Sequence, residues 1–207
     1  MLEYAPDPKR TALLVYDMVN DFLNPGAPME SPRAREELVP RLKPLIEVCR
    51  RKKMLTLYAC QTYHPEGIGD GLKMSHSRRG CIAGTPGPQV YHELAPAAGD
   101  IVIPKRRFDA FLGTDMDMIL RERRIETLII VGTSTSIGTE TTARGAVSRD
   151  YQVIYPSDGT TNRDLPDVGW GPVPVDLLLK VVLTELAQFC RICSVQQLIR
   201  EIDAFPA

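Results

Sequence analysis

The sequence predicts an α/β chain: a three-layer α-β-α, Rossmann-like fold with a six-stranded, mainly parallel sheet. Two observations carry this expectation. Short continuous apolar runs alternate with charged, helix-period segments, as in a sheet covered on both faces. Three of the runs end in polar or charged residues, as strands do where their carboxyl ends open onto a ligand crevice. The 207 residues suit one domain spanning 1–207.

The elements follow in order. Thr11–Tyr16 (TALLVY) is a continuous apolar run ended by Asp17. A charged helical segment at about 33–53 comes next, with Pro40 and Pro44 leaving its early part open and the basic run 50–53 as its solvated end. Residues 54–60 and 100–103 read as the second and third strands. Between them, residues 61–99 are rich in Gly, Pro, Ser and His, and long ordered segments of this kind are usually functional. A lid or recognition region is expected, with disorder as the alternative. Residues 113–124 read as a helix, 127–131 as a strand, 138–149 as a helix, 152–155 as a strand, 175–188 as a long helix and 189–193 as the sixth strand. Residues 195–202 close the chain. The segment 166–174 contains the only tryptophan, Trp170, read as a packed structural residue or as cover for a pocket or a neighbouring subunit.

Composition narrows the function. Lys and Arg total 25 against 26 Asp and Glu, a formal net charge of −1, so no nucleic-acid or membrane partner is expected. No apolar stretch approaches the ~20 residues that span a bilayer. Residues 1–10 carry prolines and acids and do not read as a signal peptide. Five cysteines in such a chain suggest a reducing compartment, the cytoplasm. Cys190 and Cys193 form the only close pair, and packing is the preferred reading over metal or redox work.

Three strand ends carry the chemistry-bearing residues. The first delivers Asp17, then Asn20, Asp21 and Phe22. A carboxylate beside the crevice can transfer protons. The third strand ends in Pro104-Lys105, then Arg106, Arg107 and Phe108. The fourth ends in Gly132 and runs through Ser134, Thr135, Ser136, Ile137, Gly138 and Thr139 into a helix, offering backbone N–H groups to an anion. The spacing from Gly132 to Gly138 is wrong for a phosphate loop, and neither a dinucleotide fingerprint nor a nucleophile elbow is present.

These motifs resemble the isochorismatase-like hydrolases. The first-strand motif LVYDMVNDF (14–22), the lysine motif PKRRFDAF (104–111) and the segment from Val131-Gly132 to Thr142-Ala143 fall in the family's order. So do Gly84-Thr85-Pro86-Gly87 and Glu93-Leu94-Ala95-Pro96, and together they cover nearly the whole chain. The resemblance implies a hydrolase of a small-molecule substrate, without cofactor, and a homo-oligomer, dimer or tetramer. In amide-cleaving members an aspartate, a lysine and a cysteine form a triad. The resemblance matches Asp17 and Lys105 to the first two and puts Gly138 at the cysteine position. Isochorismatases proper lack that cysteine and carry Ile-Gly then Thr-Thr-Ala, similar to Ile137-Gly138 and Thr141-Thr142-Ala143. There the aspartate protonates a vinyl ether and water adds. A glutamine after the second strand contacts substrate, and Gln61 matches it.

This chain departs from that branch at Ser134 and Phe108, where an aromatic residue and a tyrosine are expected, which implies a different substrate. The leading expectation is hydrolysis of a small carboxylated molecule with Asp17 as general acid, Lys105 as charge partner and the 134–139 turn as anion cradle. Gln61, Phe22, Ser134, Thr135, Ser136, Thr139, Phe108 and Arg107 are the expected substrate contacts. Arg106 and Arg107 are either carboxylate contacts or surface charges. Two alternatives stand beside it: an amide or ureido hydrolase using Ser136 or an activated water, and a catalytically silent binding or oligomerisation module. No metal is expected: zinc-using relatives carry Asp-x-His after the second strand, whereas Thr62-Tyr63-His64 lacks the aspartate, and with three histidines in the chain His64 and His76 read as lid residues rather than as a ligand and its distal partner. Burial and Lys105 pull the Asp17 pKa in opposite directions, a balance the sequence leaves open.

Overall fold

A computed structural model describes residues 3–71 and 80–206. Its strands are β1 (Thr11–Tyr16), β2 (Leu55–Gln61), β3 (Ile101–Lys105), β4 (Thr127–Thr133), β5 (Gln152–Pro156), β6 (Thr160–Thr161) and β7 (Arg191–Cys193). The described helices are α1 (Asn20–Leu23), α2 (Val39–Arg51), α3 (Met116–Glu122), α4 (Glu140–Val147), α5 (Val175–Leu186) and α6 (Val195–Ala204). Strand order is β3-β2-β1-β4-β5-β7 with β6 beside β4, and all of these ladders are parallel. The six expected strands are present. The seventh, β6, is two threonines, too short to leave an apolar run in the sequence.

Alternation along β1 builds two cores at once. Leu13 and Val15 join one cluster with Leu42, Leu45 and Leu198, beneath α2 and α6. Ala12, Leu14 and Tyr16 join the other with Met116, Ala143 and Leu186, beneath α3, α4 and α5. Cys190 belongs to the second cluster and Cys193 to the first, so the cysteine pair is divided between the two faces of the sheet.

The chain runs from β1 outward to β2 and β3, then returns to place β4 on the other side of β1. This reversal opens a crevice at the carboxyl ends of β1 and β4. Their closeness is set by Gly132, paired with Tyr16, with φ +125°. A Cβ there would stand 2.0 Å from the Tyr16 carbonyl oxygen, so only glycine fits.

The early part of the 33–53 segment, left open by its prolines, is helical: residues Ala34–Leu38 wind as a π-helical turn into α2, Pro40 sits in the first turn of α2, where a missing N–H is tolerated, and Pro44 is carried inside the helix. Two expectations need correction. Arg50 is not part of a solvated helix end. It pairs with Asp100 at 2.6 Å and donates to the Tyr58 hydroxyl and the Ala95 carbonyl, tying α2 to the approach to β3. Trp170 is not packed; it is 82% exposed.

The described part of the 61–99 segment is ordered against the chain after β1. The Asp21 carboxylate accepts from the Cys81 N–H at 2.5 Å, Asn20 donates to the Pro86 carbonyl at 2.9 Å, and Val19 bridges Val90. Asn20 and Asp21 therefore brace this segment. His76 lies outside the described residues. No described helix is long and apolar enough to cross a membrane.

Candidate active site

Asp17 leaves β1 in the left-handed region, φ 49°, a conformation that costs a non-glycine residue roughly 1–3 kcal/mol and concentrates at functional sites. The bend turns its carboxylate across the ends of β2 and β3. One oxygen accepts the Gln61 backbone N–H at 2.6 Å, and the other accepts the Lys105 ammonium at 2.9 Å. Gln61 faces Lys105 across the β2–β3 ladder. Its side chain closes the ring, accepting from Lys105 Nζ at 3.0 Å and donating to the Lys105 carbonyl at 3.1 Å. Three strand ends thus converge on one hydrogen-bonded cluster.

The cluster is dry. Asp17 is 6% exposed and Lys105 1%. Burial holds the Asp17 carboxyl above the ordinary aspartate range, against the opposing pull of Lys105 and the Gln61 N–H. Lys105 Nζ also stands 4.2 Å from the centre of the Tyr16 ring, a cation–π contact.

Above the cluster lies a cavity of about 450 Å³. Asp17, Phe22, Gln61, Phe108, Ser134 and Gly138 line it, so these six expected residues are brought together. Lys105 lies beneath the floor, bonded to two of them. The other expected contacts do not line the cavity. Thr135 bonds to Thr160 at 3.0 Å, and Thr139 shares a hydrogen bond with Tyr155 at 2.7 Å, both inside the fold. Ser136 accepts from the Asn162 amide at 2.7 Å. Arg107 donates to the Gly69 carbonyl at 2.9 Å and, with Arg106 and His64, lines a neighbouring cavity. The Ile137 and Thr139 N–H groups both turn back to the Ser134 carbonyl at 3.3 Å, so the anion cradle is partly occupied by the turn itself.

Other lining residues escaped the sequence reading. Met29 and Ser31 come from the loop before α2, and Asn162, Arg163 and Leu165 from the loop after β6. Those loops have no periodicity that would flag them. Among the described residues, Arg163 is the only lining residue with a positive charge. Tyr16 and Tyr63 complete the wall; Tyr16 was visible as the last residue of a strand, with nothing to mark it as more.

All five cysteines are free and buried, and none lines the cavity. Burial pushes the thiols of Cys49, Cys60 and Cys190 up to about 12 and that of Cys193 to about 11. Among the described residues, no group of three His, Cys, Asp or Glu side chains is placed to hold a metal ion.

The chain is similar in sequence and in fold to known proteins. The model of the isochorismatase domain matches residues 11–169. The chain is 25% identical to an N-carbamoylsarcosine amidase of an Arthrobacter species, over 95% of this chain and 73% of that one. Among solved structures, a cysteine hydrolase from Pseudomonas syringae pv. phaseolicola superposes with a TM-score of 0.92 at 29% identity, covering 98% of this chain and 96% of that one. N-carbamoylsarcosine amidase from Thermoplasma acidophilum superposes with a TM-score of 0.74 at 28% identity, covering 90% and 96%.

Proposed function

The chain belongs to the isochorismatase domain family and is a hydrolase, and from that premise we propose that it cleaves a small carboxylated organic molecule with Asp17 as general acid and water as nucleophile. The observation that carries this reading is the state of Asp17: buried, bonded to Lys105, and with its acid form favoured by burial. A carboxyl in that condition can deliver a proton to a leaving or unsaturated group in the cavity. Lys105 steadies the carboxylate left behind, and Gln61 holds both. No described lining side chain is a thiol, and in this reading the attacking group is a water admitted with the substrate rather than a lining hydroxyl. Arg163 is the group best placed to hold a substrate carboxylate. Acid-assisted addition of water to an enol ether suits these parts.

A second reading is amide or ureido hydrolysis, favoured by the relatives named N-carbamoylsarcosine amidase. With Ser136 outside the cavity lining, this version works through a water activated by ionised Asp17. The two readings separate by pH. In the first, kcat/KM falls as pH rises through the Asp17 pKa; in the second it rises. The test is turnover of a panel of carboxylated enol ethers, amides and ureides by wild type and by Asp17→Asn. Loss of ~10²-fold or more in the folded variant is expected, and unchanged turnover would remove Asp17 from the reaction.

A further inference from the structure

Gly138 lies late in the turn Thr135–Thr139 that leads into α4 and lines the cavity, and the space in front of it is already taken. A Cβ on Gly138 would stand 2.3 Å from Cε1 and from the hydroxyl oxygen of Tyr16, and 2.4 Å from Cζ. That ring is held by its contacts. It is 1% exposed, its hydroxyl donates to the Phe108 carbonyl, and its face receives the Lys105 ammonium. Gly132 pins the backbone of Tyr16 from the other side.

We propose that Tyr16 and Gly138 are a matched pair in which the Tyr16 ring occupies the volume any side chain at 138 would need. Tyr16 is then the positioning residue that decides the mechanism. While it is present, position 138 cannot present a nucleophile to the Asp17–Lys105 cluster, and the water-attack reading follows from that closure. This inference deepens the water-attack reading above and rests on its assignment of the cavity as the reaction site.

The pairing makes a reciprocal prediction. Gly138→Cys alone introduces a clash, Tyr16→Val alone leaves a void, and the double variant relieves both. Position 138 and the Lys105 ammonium both stand against the Tyr16 ring, so removing the ring would leave the introduced thiol facing a cation, which favours the thiolate. The experiment measures thermal unfolding of G138C, Y16V and Y16V/G138C, and the iodoacetamide rate at position 138 by peptide mass mapping at neutral pH. The expected result is a double variant that loses less Tm than the two single losses added together, or that folds where a single variant does not. Its introduced thiol should react about tenfold or more faster than the buried native cysteines. Additive losses, a double variant that fails to fold, or an introduced thiol no faster than the native ones would overturn the pairing. Neither measurement uses a substrate, so such a failure is distinct from failure of the general-acid reading, which the substrate panel and Asp17→Asn test.

Discussion

At the scale of single residues, function turns on a balance at Asp17. Burial raises its pKa; Lys105 and the Gln61 N–H lower it; burial prevails. If the acid form does the work, kcat/KM declines with rising pH around a midpoint above the ordinary aspartate value. Lys105→Met removes an opposing cation, so the Asp17 pKa rises further and the declining limb moves to higher pH. A limb that stays in place or moves down would show that the titrating group is not Asp17. Arg163 poses a separate question of binding. Replacing it by Ala should raise KM for a carboxylated substrate about tenfold or more, from loss of a charge-assisted hydrogen bond, with kcat little changed. Steady-state kinetics on the carboxylated substrate and its methyl ester would check this, the ester being the insensitive control.

At the scale of elements, the site exists because strand ends meet. Paired residues Tyr16 and Gly132 bring β1 and β4 together, and paired residues Gln61 and Lys105 align β2 and β3. Gly132→Ala sets a methyl group against the Tyr16 carbonyl at a φ disfavoured for alanine. It should cost more than ~2 kcal/mol of stability, read as a fall in Tm or in the urea midpoint. Much of this scale was legible in the sequence. Apolar runs marked β1, β2, β4 and β5 because burial on both faces demands such runs. The loops that line the cavity were not legible: Met29 and Ser31 are held by backbone bonds to Asp21 and Phe22, and Leu165 by Val173, and such non-repeating contacts leave no period in the sequence. Asn20 and Asp21 were noticed beside Asp17, yet they serve the neighbouring segment, since α1 turns them towards residues 81–89.

For the whole molecule, two cores on either side of one sheet keep every thiol away from solvent and from the cavity. Native protein should therefore keep its turnover in iodoacetamide under conditions that alkylate all five cysteines after denaturation, as counted by intact mass. Inactivation accompanying a single alkylation would bring a native thiol into the mechanism. The sequence by itself determined the α/β architecture, because hydrophobic period and strand-end polarity are local properties of the chain. It also determined that Asp17, Lys105 and the turn after β4 would gather at one edge, because a parallel sheet sends its carboxyl ends to the same side, while Gln61 and Gly138 were picked out by the family resemblance. Only the tertiary structure decided which way the Asp17 pKa moves, which arginine faces the cavity, and that Tyr16 fills the space before Gly138. Each of these depends on distances between residues far apart in the chain, and no periodicity records such distances.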